Sequence, residues 1–278
     1  ERHAGGLTGT ALVAARRMGR ACHYAGTLGS DELSRFIVDG FAAEGVSTRH
    51  LVRRDGTHPF HSTILVDTQT RTRTILFDAR NVVGADPQLP PEEVIRSARV
   101  LFVDHVGLPG MVRAARIARA AGIPVVADIE RDVGELFPVF LGLVDHLILP
   151  FDFASKVSGA TDAVGIVRAL WTEGRKAVVV TRSEEGSWYT SADEPGTVFH
   201  QPAFIVDAVD TNGCGDVFHG VYAASLAEGM PMERRVRFAA AVAALKATHS
   251  GGQKGIPLRP EADGFFAEQE GRYPRSQA

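Results

Sequence analysis

A glycine-rich segment in the last third of the chain, AVDTNGCGDVFHG at residues 208–220, carries the residue types best suited to chemistry. Gly213 and Gly215 lie two apart, and Asp216 follows directly at the start of a stretch whose apolar residues have helical spacing. The free N–H groups and the positive dipole end of a helix N-terminus favour anions. We therefore expect the amides of Gly213, Cys214 and Gly215 to point at a phosphate or a developing oxyanion, and Asp216 to accept a proton from an attacking hydroxyl.

The spacing of the glycines leaves a second interpretation open. An apolar stretch at 203–209 precedes the segment, which indicates a strand-to-helix junction, the position where open α/β sheets bind ligands. A plain tight turn with Asp216 as a helix cap fits the same residues. The segment is not a Walker A loop, since no lysine follows, and it is not a GxGxxG fingerprint, since the glycines are spaced differently.

Composition narrows the class of protein. The 278 residues are 45% apolar and 23% charged, with a net charge of −3, which is typical of globular proteins. The absence of a basic excess argues against nucleic-acid binding, and the longest apolar runs are too short to cross a membrane. Two cysteines, Cys22 and Cys214, are too few for a disulfide framework, which favours a cytoplasmic location. The chain opens on a helical pattern, so we expect a further segment before it.

Apolar runs and helical patterns alternate from residue 100 onward. Strands are predicted in VLFVDHV, IPVVADIE, DHLILPF and KAVVVTRS, an edge hairpin in GSWYTS and GTVFH, and helices at 109–121, 132–143, 162–173, 213–228 and 232–250. Strands that are apolar throughout are expected where helices cover both faces of a sheet. This order predicts an α/β protein with a three-layer αβα, doubly wound and mostly parallel sheet.

The first 80 residues have a different pattern. Helices are predicted at 6–19 and from an Asp31 cap to Glu44, with a short strand in ACHYAGTLG between them. Two β-rich runs, STILV and RTILF, flank the polar DTQTRT and predict a hairpin. Because no helix separates these strands, we expect the hairpin to stand apart from the parallel sheet.

The segment DTNGCGD resembles the DTxGxGD signature of the PfkB, or ribokinase-like, carbohydrate kinases. Other stretches resemble the family in the same order along nearly the whole chain: GG…ALVAARRMGRACHYAGTLGSDELS…EGVSTRHL at 5–51, IPVVADIERD, VVVTRSEEGSWY, and ALKATHSGGQKGIP at 244–257. The resemblance implies the ribokinase-like fold with a small β-lid. The stretches RTILFD and ALKATHSGG lean toward the ketohexokinase-like side of the family.

Members of this family transfer the γ-phosphate of ATP to a sugar hydroxyl, so the resemblance implies an ATP-dependent sugar kinase. The resemblance implies that Asp216 is the catalytic base and contacts the sugar. It also implies that the backbone amides of Gly213, Cys214 and Gly215 form the anion hole. The resemblance also implies a nucleotide-binding site, whose residues would be Thr181, Arg182, Gly186, Asp210, Thr211, Lys246, His249 and Gly252. For His249, an exposed position at a helix end without any nucleotide contact explains the residue equally well.

The sugar side implied by the resemblance lies near the N-terminus. Gly5 and Gly6 match a glycine pair that contacts the sugar, and Arg80 and Asn81 follow the second hairpin strand as further substrate-side candidates. A solvated hinge residue is the simpler interpretation of Arg80.

The same resemblance divides the chain into two parts. Residues 46–80 would form the β-lid over the sugar and exclude water, while residues 1–45 and 81–278 would form the core with the nucleotide and catalytic sites. Lids of this family often carry dimer contacts, which implies a homodimer through the lid. The expected partners are a small-molecule sugar and ATP.

Several positions depart from the family pattern. Thr10 stands where the first helix usually carries Asn, and Pro150 and Phe153 stand where the magnesium-associated NxxE motif should fall. Alternative carboxylates, each more simply explained as structural, are Asp128, Glu130 and Asp152. The metal ligands are therefore unknown from the sequence. Mg²⁺ would be held mainly by ATP and water, and a monovalent cation is a further candidate cofactor.

Two rival functions remain open at this point. A nucleoside kinase would use the same fold, and the missing NxxE motif and Thr10 also suit a catalytically silent binding protein. His58 and His61 lack further ligands for a metal site. His105 follows a core strand, where both a substrate-side role and packing are open.

Overall fold

A seven-stranded sheet lies at the centre of the computed structural model, which describes residues 2–67 and 72–278. The strands are β1 (Gly26–Leu28), β2 (Val52–Arg53), β3 (His61–Asp67), β4 (Thr72–Asp78), β5 (Gly84–Ala85), β6 (Leu101–Asp104), β7 (Val125–Asp128), β8 (His146–Pro150), β9 (Ala177–Thr181), β10 (Ser187–Ser191), β11 (Phe199–Gln201) and β12 (Ser276–Gln277). The helices are α1 (Leu7–Arg17), α2 (Glu32–Ala43), α3 (Glu92–Arg96), α4 (Leu108–Ala120), α5 (Phe137–Gly142), α6 (Phe151–Ser158), α7 (Ala163–Leu170), α8 (Cys214–Ala227), α9 (Met232–Ala247) and α10 (Arg259–Glu268).

The central sheet confirms the predicted doubly wound arrangement. Its order is β12-β11-β10-β9-β8-β7-β6, with β6 to β9 parallel and the remaining neighbours antiparallel. Alternate residues of the parallel strands enter two apolar clusters. Val126, Ile148 and Val179 pack with α1, α8 and α9, whereas Val125 and Leu147 pack with α4 to α7. Both faces are therefore covered, which explains the continuous apolar runs.

The predicted hairpin is present and stands apart from this sheet. Strands β3 and β4 pair only with each other among the described residues, in the register His61↔Asp78 to Asp67↔Thr72. Residues 68–71, which fall within the predicted DTQTRT turn, lie outside the described residues. A separate three-stranded sheet, β2-β1-β5, joins strands from before, within and after the 46–80 segment.

Several predicted elements differ in extent. Residues 203–209 form no strand, and Ile205 and Val209 are 85% and 67% exposed, so the strand expected before the glycine segment is wrong. The predicted helix at 132–143 is reduced to α5, because Asp132 accepts a hydrogen bond from Gly134 N (2.9 Å) and holds a turn instead. The Asp31 cap is confirmed, since its carboxylate accepts from Ser34 N at 2.9 Å.

Helices α3, α6 and α10 were not predicted, and the helices expected at 162–173 and 232–250 end earlier, at Leu170 and Ala247. Among the described residues, no helix combines the length and apolarity that a membrane crossing requires.

Candidate active site

A cleft of about 1200 Å³ opens between α1, the start of α8 and the carboxyl end of β6. Its lining includes the predicted sugar-side pair Gly5 and Gly6 together with Gly213 and Asp216. Asp104, the last residue of β6, lines the same cleft. The fold thus brings the N-terminal glycine pair and the proposed base, more than 200 residues apart, to one cavity.

The glycine turn requires its first glycine. Gly213 is the N-cap of α8 with φ 77°, a left-handed conformation that side chains rarely adopt. A Cβ added at Gly213 would lie 3.4 Å from Thr10 Cγ2 and 3.7 Å from Gly252 Cα. At Gly215, by contrast, a Cβ would project into open space. The turn therefore packs closely against α1 on one side and leaves room at Gly215 for a ligand.

The amides of the turn are not equivalent. The Cys214 amide donates to the Thr211 carbonyl at 3.2 Å, so it is engaged within the turn. The first N–H groups of a helix have no acceptor within that helix. The amides of Gly213 and Gly215 are consequently the better placed pair of the predicted three for an anion. Burial raises the pKa of the Cys214 thiol, which fits a role for its backbone alone.

Asp216 lies in the first turn of α8 and has an environment that favours its protonated form. Burial, followed by the carboxylate of Asp128, raises its pKa to about 7, with a smaller contribution in the same direction from Glu130. His219 and a hydrogen bond with the Thr10 side chain oppose this rise. A carboxylate with a pKa near neutrality is suited to take a proton and later release it.

Asp210 holds the turn against the C-terminal segment. Its carboxylate accepts from Asn212 N at 2.9 Å and from Gly251 N at 2.8 Å, and its carbonyl accepts from Lys246 Nζ at 2.8 Å. Lys246 is fully buried, so its ammonium group supports the loop from below. Asp210 and Lys246 thereby join two segments that the sequence analysis assigned to the nucleotide.

Three other predicted nucleotide-side residues lie between the end of β9 and the start of β10. Thr181 ends β9, and Arg182 forms an ion pair with Glu185 at 3.0 Å and lies 4.1 Å from the centre of the Phe151 ring. Gly186, with φ 93°, makes the turn into β10, where a Cβ would lie 2.2 Å from the Gln201 carbonyl oxygen.

Two further predicted residues follow α9. His249 is exposed, and its Nδ1 lies 2.9 Å from the Thr248 hydroxyl. Gly252 lies close to Gly213. Within the described chain, none of the eight predicted nucleotide-side residues lines the 1200 Å³ cleft. The structure therefore places these eight residues outside the cleft that Asp216 lines.

Further polar residues line the sugar side, of which the sequence analysis had named His105 and Glu130 but missed Thr8, Asp104 and Arg131. The Thr8 hydroxyl donates to Asp104 Oδ2 at 2.6 Å, and Arg131 Nε donates to His105 Nε2 at 2.9 Å. Burial and the nearby Arg131 lower the pKa of His105 to about 4, so the ring is neutral and its proton lies on Nδ1. Glu130 lines the same wall. Asp104 could have been found in the same way as His105, as a polar residue at the end of a buried strand.

The hairpin contributes aromatic side chains to the mouth of the cleft. Phe60 and Phe77 stack with ring centres 5.6 Å apart, and both line the cleft with Ser62 and His58. His58 and His61 are neighbours, with ring centres 5.9 Å apart.

The two substrate-side candidates after the hairpin lie outside the cleft. The Arg80 guanidinium is 85% exposed and pairs with Asp78, and the carboxylate of Asp78 raises the pKa of Arg80. Asn81 adopts φ 54° at the turn that follows. Neither residue is among those that line the cleft.

The positions of the missing NxxE motif are structural. Pro150 caps α6, and Phe153 is buried against Phe137 with ring centres 6.0 Å apart. Asp152 is exposed on the first turn of α6. No group of three or more candidate metal ligands occurs among the residues that the structure describes.

Comparisons with known proteins found a matching family model and related sequences. The family model described as "pfkB family carbohydrate kinase" matches residues 1–259. A ribokinase from Haemophilus influenzae is 26% identical over 270 residues, which cover 94% of this chain and 87% of that protein.

Two solved structures have a closely similar fold. The ribokinase of Arabidopsis thaliana complexed with ribose and ATP gives a TM-score of 0.84 at 21% identity, covering 96% of this chain and 88% of that one. A fructokinase from Xylella fastidiosa with bound ATP gives 0.83 at 22% identity, covering 97% and 92%.

Proposed function

This chain belongs to the pfkB family of carbohydrate kinases, and we propose that it phosphorylates a sugar hydroxyl with Asp216 as the catalytic base. The family and the ribokinase relatives make it an ATP-dependent phosphotransferase. The sugar binds in the 1200 Å³ cleft, and ATP binds on the opposite side of the glycine turn.

The observation that carries this proposal is the position of Asp216. It lines the cleft, and the adjacent Gly213 touches both α1 and the segment around Gly252. A sugar hydroxyl in the cleft donates its proton to Asp216, and its oxygen forms a bond to the γ-phosphorus of ATP. The bond between that phosphorus and the bridging oxygen breaks, and its electron pair leaves with ADP.

The backbone around Asp216 stabilises the charge of the transferred group. The amides of Gly213 and Gly215 form the anion hole as the turn stands, and the Cys214 amide joins them when its bond to the Thr211 carbonyl opens. The helix dipole of α8 adds a fixed positive potential at the same point.

Among the described residues there is no group of three or more candidate metal ligands. Phe153, which stands at one position of the missing NxxE motif, is buried in the hydrophobic core. Mg²⁺, which a protein often holds through substrate phosphates and water, would therefore be held mainly by the triphosphate. Neutralising phosphate charge is the chemistry that it supplies when bound.

The hairpin of β3 and β4 acts as the lid over the sugar. One face directs Phe77 and Ser62 to the cleft, where they exclude water from the reaction. The opposite face carries Leu65 and Leu76, which are 57% and 56% exposed. We propose that these leucines meet a second copy of the chain and form a homodimer through the lid.

A coupled assay of ADP release over a panel of pentoses, hexoses, sugar acids and nucleosides tests the function. We expect ATP- and Mg²⁺-dependent turnover with at least one sugar, and its loss by two to four orders of magnitude in Asp216→Asn with binding retained. Near-normal turnover of that variant would remove the catalytic assignment. Turnover with nucleosides alone would favour a nucleoside kinase, and binding without any ADP release would favour a silent binding protein.

A further inference from the structure

The imidazole of His219 is enclosed by oxygen acceptors beneath the proposed catalytic turn. His219 is 3% exposed and lies one helical turn after Gly215 on α8. Its Nδ1 lies 2.8 Å from the Gly215 carbonyl oxygen, and its Nε2 lies 3.1 Å from the Ile148 carbonyl oxygen on β8. Both ring nitrogens therefore face an atom that can only accept a hydrogen bond.

A carboxylate lies on the same side of the ring. Asp128 Oδ2, at the carboxyl end of β7, is 3.4 Å from His219 Nδ1. This oxygen is buried without a hydrogen bond from the described residues. Burial, followed by the charges of Glu130 and Asp104, raises the pKa of Asp128 well above its ordinary value, so the ionised form of this carboxyl needs a positive charge beside it. The Phe102 and Phe218 rings lie steeply inclined to the imidazole, at 87° and 78°, with ring centres 6.5 and 6.3 Å away.

A neutral imidazole can donate from one nitrogen only, and its second nitrogen then carries a lone pair. In this position the lone pair would face a carbonyl oxygen in a buried site, which is repulsive. An imidazolium donates from both nitrogens and compensates the unpaired Asp128 oxygen. Burial is the largest influence on His219 and holds its pKa below the ordinary value, although the two carbonyls and the carboxylates of Asp216 and Glu130 act in the opposite direction. The hydrogen-bond geometry therefore carries the argument for the charged form.

From this geometry we propose that His219 is held as an imidazolium against Asp128 and acts as a positioning residue for Asp216. The consequence for Asp216 rests on the function proposed above. His219 ties the first turn of α8 to the ends of β7 and β8, which fixes the peptide that carries the anion hole. Its positive charge also opposes the rise in the pKa of Asp216 that burial, Asp128 and Glu130 produce.

The charge state can be read directly in the wild-type protein. Nitrogen-15 NMR of histidine-labelled protein, with His219 assigned by its loss in His219→Gln, should show both ring nitrogens protonated at pH 7. The Asp128→Asn variant should lower the pH at which this ring titrates by one unit or more. An unprotonated nitrogen at pH 7 in the wild type would overturn the proposal, whatever the activity of the enzyme.

Kinetics test the effect on Asp216. His219→Gln should shift the acidic limb of the kcat/KM profile to higher pH by half a unit or more. His146→Gln is a matched control, because His146 is an equally buried histidine that instead faces the Tyr222 hydroxyl at 2.9 Å. His146→Gln should lower the stability of the fold without shifting the acidic limb of the kcat/KM profile. A fall in kcat/KM by the same factor at every pH in His219→Gln would reduce His219 to a structural residue and refute the positioning role.

These readouts separate the failure of this inference from the failure of the proposed function. If Asp216→Asn retained turnover, the base would be wrong, yet the NMR measurement would still decide the charge of His219. If Asp216→Asn lost turnover while His219 proved neutral, the assignment of Asp216 as the base would be supported and the proposed charge of His219 would be wrong.

Discussion

The Asp216→Asn variant should be more stable than the wild type at alkaline pH while losing its activity. The Asp216 carboxyl has a pKa of about 7 in the folded protein, because burial and then Asp128 disfavour its charged form, against an ordinary value of 3.8. The folded state therefore holds a proton that the unfolded state releases over most of this interval. Asparagine has nearly the same shape and carries no charge at any pH.

The sign follows from this proton balance. Between about pH 4 and 7 the native state binds more protons at Asp216 than the unfolded state does, so stability falls as the pH rises. Below pH 4 the Asp216 carboxyl does not destabilise the folded state, and above pH 7 its full destabilising effect is present. At about 1.4 kcal/mol per pH unit the full effect is about 4 kcal/mol. Because Asp216 borders an open cleft, solvent screening reduces this to about 2–4 kcal/mol.

Thermal unfolding of both proteins at pH 5 and pH 8 measures the effect. At roughly 2 °C per kcal/mol for a chain of this size, Tm of Asp216→Asn should exceed that of the wild type by roughly 4–8 °C at pH 8 and by much less at pH 5. Asp152→Asn is the matched control, since Asp152 is an exposed carboxylate in the first turn of α6 and should show no such difference. A Tm difference that is equal at both pH values would refute the assigned pKa.

Three further predictions concern the elements around the site. Gly213→Ala should lose at least tenfold in kcat/KM, because a side chain in its left-handed conformation costs about 1–2 kcal/mol and shifts the turn; Gly264→Ala, where a Cβ meets open space, should leave the rate unchanged. Lys246→Met should destabilise the fold by about 1–3 kcal/mol in urea titrations and raise KM for ATP more than KM for the sugar, because the Asp210 carbonyl loses its buried donor; equal changes in both KM values would contradict a nucleotide-side role. The double variant Leu65→Ser, Leu76→Ser should sediment as a monomer if the lid forms the dimer, and an unchanged sedimentation coefficient would exclude that interface.

Elements with a strong local signal could be predicted from the sequence, whereas short or irregular ones could not. The strands Val125–Asp128 and Ala177–Thr181 are apolar except for their last residues, and that pattern is expected in a sheet covered on both faces. Residues 203–209 are just as apolar but form no strand, because burial depends on whether a neighbouring strand is available, which the sequence does not show. Helix α6 begins directly after Pro150 without the polar cap that usually marks a helix start.

The candidate site also contains features that could be predicted from the sequence and features that could not. The glycine turn and Asp216 could be recognised because their spacing is local and their chemistry depends on backbone amides. The hydrogen bond of Asp216 with Thr10 and the electrostatic influence of Asp128 depend on how α1 and β7 pack against α8, at sequence separations that no spacing rule covers. Lys246 is a nucleotide-side candidate in the sequence, yet the fold buries its side chain, and its Nζ donates to the Asp210 carbonyl.

Activity and stability should therefore respond to pH in opposite directions around the same group. Turnover needs the charged form of Asp216, so kcat/KM should rise about tenfold per pH unit below pH 7 and level off above it. Stability should fall over the interval in which that charge develops. A buried positive charge at His219 would moderate this conflict, because it lowers the cost of ionising Asp216 without opening the site to water. A folded protein that is fully active well below pH 6 would mean that the carboxylate is far better solvated than its surroundings indicate.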